Sequence, residues 1–308
     1  MQKRELFMDK YYLNNFKTYL QENDKSEKTI NNYIDNVILF AQYFNQMESD
    51  EFNPLIITTI DIKDYRSYCQ KTLKLGVSSI NLRISSVKSY FNYLYLDKII
   101  TKNPSLNIKK IKDNRMLEPK AFDENIYRKL RREYYRSGNP LHILIFELLS
   151  HCGLRANELV NIRLEDINMN MDIKNDTPRT GELTVVQGKG NRIRVIPLHK
   201  DVRIAIINWI EIRKHKKIDS SYLLISERNN KYTTNGIYRI IMKYHSKLNL
   251  EQHYTVHSYR HYFCKHLLSE ANVNISTVSA LAGHASIATT HKYTIATKKD
   301  MDDAINKF

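Results

Sequence analysis

The chain has 308 residues, and its 48 lysines and arginines exceed its 33 acidic residues, which gives a net charge of +15 at neutral pH. Such an excess is typical of proteins that bind a polyanion. A hydrophobic content of 42% excludes a disordered chain, and a content of only 8 glycines and 6 prolines excludes collagen-like and proline-rich classes. The 3 widely spaced cysteines cannot form a disulfide framework, which indicates a reducing compartment.

The first 108 residues are predicted to form one helical domain, because apolar residues recur at helical spacing. Ser26 is a suitable N-cap, Gly76 is a suitable helix end, and Pro104 disfavours helical backbone at the residue before it. The four predicted helices run approximately from Lys3 to Leu20, from Ser26 to Phe44, from Thr59 or Asp61 to Gly76, and from Ser79 to Asn103.

Residues 109–120 are basic and lack apolar periodicity, so they are predicted to be a linker. Residues 121–308 are predicted to form a second, mostly helical domain with a small antiparallel sheet. Gly188 and Gly190 lie between two β-like runs and predict a hairpin. The predicted strands are near 166–173, 183–187 and 193–198. The predicted helices are at 123–137, 141–152, just after Gly153, and at 201–216, 234–247, 256–269 and 275–281.

No signal peptide or transmembrane segment is predicted, because the longest apolar stretch, near 141–149, is too short to span a bilayer. We therefore expect a cytoplasmic, nucleoid-associated protein. No further domain is expected before the four helices.

The motif HCGLRANEL places Arg155 at the start of a helix. An arginine there can bind an anion together with the amide groups of the helix N-terminus. Glu158 lies three residues later on the same helix face, so an exposed Arg155–Glu158 pair is the alternative interpretation.

The motif GKGNR places Lys189 at the predicted hairpin tip, from which its ammonium group can reach a neighbouring site. A nucleotide P-loop is excluded, because the upstream glycine and the following Ser or Thr are missing. A solvated turn lysine is the alternative interpretation.

The motif HSYRH places His257 and Arg260 on one helix face, an arrangement that suits a phosphodiester oxygen. A zinc site formed by His253, His257 and His261 is the competing interpretation, since these residues are four apart. The HExxH pattern is missing and no carboxylate cluster is nearby, so neither a metal nor another cofactor is expected.

The motif LAGHASIATTHKYT contains His284 and, nine residues later, Tyr293. In a chain with 21 tyrosines, a single tyrosine is usually a packing or surface residue.

In this order, the four motifs resemble the active site of the tyrosine recombinase/integrase family, which includes Xer-type recombinases and phage and transposon integrases. The resemblance extends over nearly the whole chain. Glu158 matches the acidic companion of the first family arginine. The positions that match the catalytic pattern are Arg155, Lys189, His257, Arg260, His284 and Tyr293.

Three features depart from the family pattern. Tyr259 and Ala282 each replace a common leucine, and the connection at 168–180 is longer than usual. None of these departures removes a catalytic group. The longer connection leaves the register of the hairpin open.

The resemblance implies a core-binding domain, a catalytic domain and transesterification on double-stranded DNA. Tyr293 would be the nucleophile, His257 the proton acceptor and Lys189 the general acid. His284 would donate to a non-bridging oxygen. Glu158 would orient the site without contacting the phosphate itself. Arg155 and Arg260 would neutralise the phosphate charge. The expected intermediate is a 3′-phosphotyrosyl link, and no metal or nucleotide is needed.

The resemblance also implies a homotetramer on two DNA sites, acting through a Holliday junction. A DNA-bending protein or a partner recombinase could assist it. The segment 298–308 is predicted to be a short helix that passes to a neighbouring protomer, as in related recombinases. The reaction would serve integration, excision or dimer resolution.

Two alternative functions remain at this point. A type IB topoisomerase would use similar groups but reseal the same strand. A non-catalytic DNA-binding protein would form no covalent adduct with DNA.

Overall fold

The computed structural model divides the chain into two compact units, Met1–Met116 and Leu117–Phe308. Each unit encloses a hydrophobic core of its own. The residues that the structure describes are 8, 10–47, 51–112, 121–172, 177–186, 193–284, 286 and 289–290.

The first unit is a bundle in which α2 packs against α4, while α1 and α3 pack against its sides. Its centre is unusually aromatic. The helices are α1 (Leu13–Glu22), α2 (Glu27–Met47), α3 (Thr59–Lys71) and α4 (Val77–Leu96). The fully buried rings are those of Phe16, Phe40, Tyr65, Tyr90 and Phe91.

The helix boundaries of this unit differ from the prediction in three places. The predicted first helix is interrupted at Tyr12, whose φ of 57° is left-handed, and the Tyr90 hydroxyl donates to the neighbouring Tyr11 carbonyl at 2.7 Å. Gly76 precedes α4 as its N-cap instead of ending α3. The last helix ends at Leu96, seven residues before Asn103.

The segment after α4 folds back onto the first unit. Ile100 and Ile108 are buried in its core, and the Lys88 ammonium group donates to the Ile108 carbonyl at 2.8 Å. Asn81 makes two hydrogen bonds, both 2.9 Å long, with the backbone of Ile111. The remainder of the predicted linker, from 113 onward, lies outside the described residues.

The second unit is mostly helical and carries one three-stranded sheet. Its helices are α5 (Glu124–Arg136), α6 (Pro140–His151), α7 (Ala156–Asn161), α8 (Lys200–His215), α9 (Thr234–Lys247), α10 (Val256–Ser269) and α11 (Ile275–Ala282). Its strands are β1 (Ile167–Asp172), β2 (Thr177–Val186) and β3 (Ile193–Pro197).

Helix α6 lies at the centre of the second unit and is buried along almost its whole length. It packs against α8 on one side and α10 on another. The only tryptophan of the sequence, Trp209 on α8, is buried and donates to the Leu223 carbonyl at 2.8 Å.

The sheet has the order β1-β2-β3 and is antiparallel throughout. The prediction of a mainly helical fold with a small antiparallel sheet is therefore confirmed. The described parts of the longer connection, 168–172 and 177–180, extend the β1–β2 ladder, whose register shifts between Asn170 and Met171. Pairing of β2 with β3 is regular from Glu182–Pro197 to Val186–Ile193.

No helix in the described ranges is both long and apolar enough to cross a membrane.

Candidate active site

The candidate site begins at the tight turn between α6 and α7. Gly153 has a φ of 55°, and a Cβ atom added there would overlap the Phe263 ring, with Cε1 only 2.7 Å away. The Gly153 carbonyl accepts a hydrogen bond from Arg260 Nη1 at 2.6 Å. The turn therefore places Arg155 at the N-terminus of α7 and brings α10 close to it.

Arg155 is fixed from both ends. Its backbone N–H donates to Glu158 Oε2 at 2.8 Å, and its Nη1 donates to Glu158 Oε1 at 2.6 Å. Its Nη2 donates to the Gly283 carbonyl at 2.7 Å. The side chain is 37% exposed, so the guanidinium is held in place and still accessible from solvent.

Glu158 also pairs with Arg194 on β3, a residue that the sequence motifs did not identify. Arg194 donates to both carboxylate oxygens, from Nη2 at 2.7 Å and from Nη1 at 3.1 Å. Its Nε donates to the Leu281 carbonyl at 3.0 Å. Burial alone would raise the pKa of Glu158, but the bonds from Arg194 and Arg155 lower it to about 2.

His284 directly follows Gly283, the residue that caps the C-terminus of α11 in the left-handed conformation. Its Nδ1 lies 2.7 Å from the hydroxyl oxygen of Thr290, a fully buried residue. Burial and the charges of Arg260 and Arg155 lower the pKa of His284 to about 4, so its ring is neutral at physiological pH.

Helix α10 contributes Arg260 from its buried face and His257 from its exposed face. Arg260 is 2% exposed, and its Nη2 is buried without a hydrogen-bond partner among the described residues. Burial and the neighbouring Arg155 lower the pKa of Arg260 to about 10, which leaves it charged at neutral pH. Partial burial and the charges of Arg260 and Arg155 lower the pKa of His257.

The arrangement leaves an excess of positive charge. Three guanidinium groups, those of Arg155, Arg194 and Arg260, surround the single carboxylate of Glu158. With both imidazoles neutral, two positive charges are not balanced within this set. A phosphate group is the natural counterpart of paired guanidinium groups.

The zinc interpretation finds no support in the geometry. Within the described ranges, no three His, Cys, Asp or Glu side chains are arranged so that they could hold a metal ion. The rings of His257 and His261 stack on each other with centroids 5.8 Å apart.

The structure thus brings together Arg155, Glu158, His257, Arg260 and His284. Lys189 and Tyr293 lie outside the described residues, so their positions stay predictions. Of the sequence departures, Tyr259 is fully buried against Phe122, with ring centroids 4.9 Å apart. The larger side chain at position 259 is therefore absorbed by the core.

Two family models match the chain. The model of the phage integrase family matches residues 123–300, and the model of the phage integrase N-terminal SAM-like domain matches residues 13–98. The chain belongs to the phage integrase family of tyrosine recombinases. This recombinase is 31% identical to the tyrosine recombinase XerA of Pyrococcus horikoshii, over 100% of this chain and 96% of that protein.

Two solved structures share the fold of the recombinase. One is the XerH site-specific recombinase in a post-cleavage complex with palindromic difH substrate, with a TM-score of 0.73 and 18% identity over 90% of this chain and 78% of that chain. The other is a lambda integrase tetramer bound to a Holliday junction, with a TM-score of 0.69 and 18% identity over 92% and 76% of the two chains.

Sequence reasoning missed Arg194 and Thr290. The structure shows why Arg194 was missed: its apolar neighbours on the strand face outward, with Ile193 65% exposed and Val195 48% exposed. Side chains alternate along a strand, so Arg194 shares the inner face with Ile196.

Proposed function

We propose that this recombinase cleaves and rejoins DNA strands by transesterification, with Tyr293 as the nucleophile. The Tyr293 oxygen attacks the phosphorus, the bond to the 5′ oxygen breaks, and a 3′-phosphotyrosyl link forms. Attack by the 5′-hydroxyl of another strand reverses the step. One ester replaces another, so no external energy source is needed.

The observation that carries this proposal is the buried Arg260 Nη2, which has no hydrogen-bond partner in the described part of the chain and lies beside Arg155 and two imidazoles. A buried guanidinium N–H without a partner is costly unless a ligand completes its hydrogen bonds. A phosphate oxygen between Arg155 and Arg260 would do so, and the two charges would stabilise the developing negative charge on the phosphate.

The remaining groups have roles that follow from their chemistry. Tyrosine has a pKa of about 10 and needs a proton acceptor, for which the neutral His257 is suited. The neutral His284, whose Nδ1 faces Thr290, donates to a non-bridging oxygen. Lys189 protonates the leaving 5′ oxygen, and Glu158 orients Arg155.

We further propose that the recombinase acts as a homotetramer on two double-stranded DNA sites and passes through a Holliday junction. The fold shared with the lambda integrase tetramer on such a junction supports this assembly. We place the reaction in the cytoplasm, on nucleoid DNA, with or without an accessory DNA-bending protein or a partner recombinase.

A nicked suicide substrate tests the nucleophile. It carries a candidate attachment site from beside the gene, and cleavage releases a short fragment so that the adduct is trapped. We expect a covalent protein–DNA adduct on a denaturing gel and a phosphotyrosyl peptide containing Tyr293 in mass spectrometry. Tyr293→Phe should bind DNA normally and form no adduct.

Tyr262→Phe is the matched control, because the Tyr262 hydroxyl donates to Glu124 at 2.8 Å and has no role in the proposed chemistry. It should keep the adduct. A normal adduct yield from Tyr293→Phe would refute the assignment and point to another tyrosine.

A second arm tests the independence from metal. Because Arg155, Arg260 and Lys189 supply the positive charge, adduct formation should persist in excess chelator at an unchanged rate. Loss of the adduct in chelator, with recovery on addition of zinc or magnesium, would favour the site at His253, His257 and His261.

A further inference from the structure

Arg194 connects three parts of the second unit, namely β3, α7 and the end of α11. It comes from β3, binds both oxygens of Glu158 on α7, and binds the Leu281 carbonyl at the end of α11. Its side chain is 9% exposed, and that of Glu158 is 8% exposed. The pair is therefore fixed inside the protein and does not lie on its surface.

The two arginines that bind Glu158 also bind the same helix end. Arg194 binds the Leu281 carbonyl, and Arg155 binds the Gly283 carbonyl. Carbonyls at a helix C-terminus carry partial negative charge and lack partners within the helix, so guanidinium groups stabilise them. His284 is the next residue after this capped end.

The arrangement is not explained by stability alone. A buried ion pair loses much of its attraction to the cost of removing both charges from water, and apolar replacements are often equally stable. Glu158 already has one arginine partner in Arg155. Arg194 adds a two-pronged bond to the same carboxylate, which fixes the orientation of Glu158 and, through Glu158, that of Arg155.

Resting on the proposed function, we propose that Arg194 is a positioning residue of the recombinase: it locks Glu158, and with it Arg155 and the turn to His284, in the geometry needed for phosphodiester cleavage. Arg194 does not touch the phosphate. It acts through Glu158 and the Leu281 carbonyl. A lysine cannot replace it, because one ammonium group cannot make a two-pronged bond to a carboxylate together with a bond to a carbonyl in fixed directions.

The test compares Arg194→Lys with Arg213→Lys in the full-length recombinase. Arg213 is a matched control, since it is 4% exposed and also binds backbone carbonyls, those of Ser220, Tyr222 and Leu223. It makes no contact with the candidate site among the described residues. If Arg194 had only a structural role, Arg194→Lys would have the same effects as Arg213→Lys.

The readouts are the DNA affinity and the single-turnover rate of adduct formation on the nicked substrate, at saturating protein and per folded molecule. For Arg194→Lys we expect DNA affinity within about threefold of wild type and a cleavage rate lowered roughly 10- to 100-fold, as misplacement by an ångström can cost. For Arg213→Lys we expect a lower thermal midpoint with an unchanged rate.

A double-mutant cycle shows whether Arg194 acts through Glu158. If it does, Arg194→Lys should slow cleavage less in the Glu158→Gln background than in wild type, and the loss that remains measures the route through the Leu281 carbonyl. Rate losses that multiply would overturn the proposed route. A wild-type cleavage rate for Arg194→Lys would overturn the proposal as a whole.

A second variant keeps the test decisive if Arg194→Lys does not fold. Arg194→Met with Glu158→Leu replaces the ion pair by apolar groups, which proteins often tolerate. We expect this variant to fold and bind DNA but to cleave at least about tenfold more slowly, since Arg155 loses its orienting carboxylate. Cleavage at the wild-type rate would overturn the proposal. If wild type and Arg213→Lys form no adduct either, the proposed function itself fails.

Discussion

Gly153 meets two requirements at a single residue. Its φ of 55° is left-handed, and its missing side chain leaves room for the Phe263 ring. The same turn presents the Gly153 carbonyl to Arg260 and starts the segment that carries Arg155. A side chain at this position would therefore disturb both guanidinium groups of the candidate site.

We predict that Gly153→Ala lowers the free energy of unfolding by about 2–4 kcal/mol, from left-handed strain together with overpacking against Phe263. Gly138→Ala is the matched control, because Gly138 has a φ of 63° and open space around its Cα. Gly138→Ala should lower the free energy of unfolding by only about 1–2 kcal/mol, which is the cost of the left-handed conformation. Urea unfolding followed by fluorescence checks both values, and equal losses would contradict the packing argument.

At the residue scale, the sequence identified the catalytic candidates but not the residues that hold them in place. The structure brings Arg155, His257, Arg260 and His284 together, although they come from three separate parts of the sequence. The sequence did not identify Arg194, because β3 carries apolar residues on its outer face. A shift of one residue in the strand register exchanges the buried face and the exposed face. Which face is buried depends on α11 and α7, and no local pattern contains that information.

At the element scale, the sequence predicted the presence of the helices better than it predicted the residues at which they begin and end. The apolar spacing of α2, α6 and α10 is strong, and these helices agree with the prediction within a few residues. The break at Tyr12 lies beside the hydrogen bond from the Tyr90 hydroxyl to the Tyr11 carbonyl, and the segment that follows α4 buries Ile100 and Ile108 in the core. Tertiary contacts of this kind override local propensity.

The C-terminal segment 298–308, which lies outside the described residues, gives a prediction at this scale. An isolated helix of about ten residues is marginally stable, so it must dock on something. If it docks on a neighbouring protomer, deleting 300–308 should leave single-site DNA binding within about twofold and lower paired-site synapsis and recombination at least about tenfold. Gel-shift assays with one-site and two-site DNA measure the two effects.

A finer control uses the two faces of the same segment. Ile305→Asp with Phe308→Asp should reproduce the deletion, whereas Asp302→Asn should not, because only the apolar side chains would be buried in the docking contact. Full recombination by the deletion variant would remove the segment from the mechanism.

At the scale of the whole molecule, the two units differ in their histidine content. All 11 histidines of the sequence follow residue 141, and so belong to the second unit. Three of them are held neutral. Burial lowers the pKa of His142, His245 and His284 to about 4, and nearby positive charges add to the effect at His142 and His284. The first unit contains no histidine.

Acid should therefore destabilise the second unit selectively. Between pH 6.5 and pH 4 the unfolded state binds protons at His142, His245 and His284 that the folded state does not, so the free energy of unfolding falls as the pH falls. From pH 7.5 to pH 5 we expect a loss of roughly 1–2 kcal/mol per histidine. Fluorescence of Trp209 reports the second unit, while far-ultraviolet circular dichroism reports both units. In urea titrations the Trp209 transition should move to lower urea at pH 5, and a second dichroism transition, that of the first unit, should stay in place. Equal displacement of both transitions would show that the buried histidines do not control the acid response.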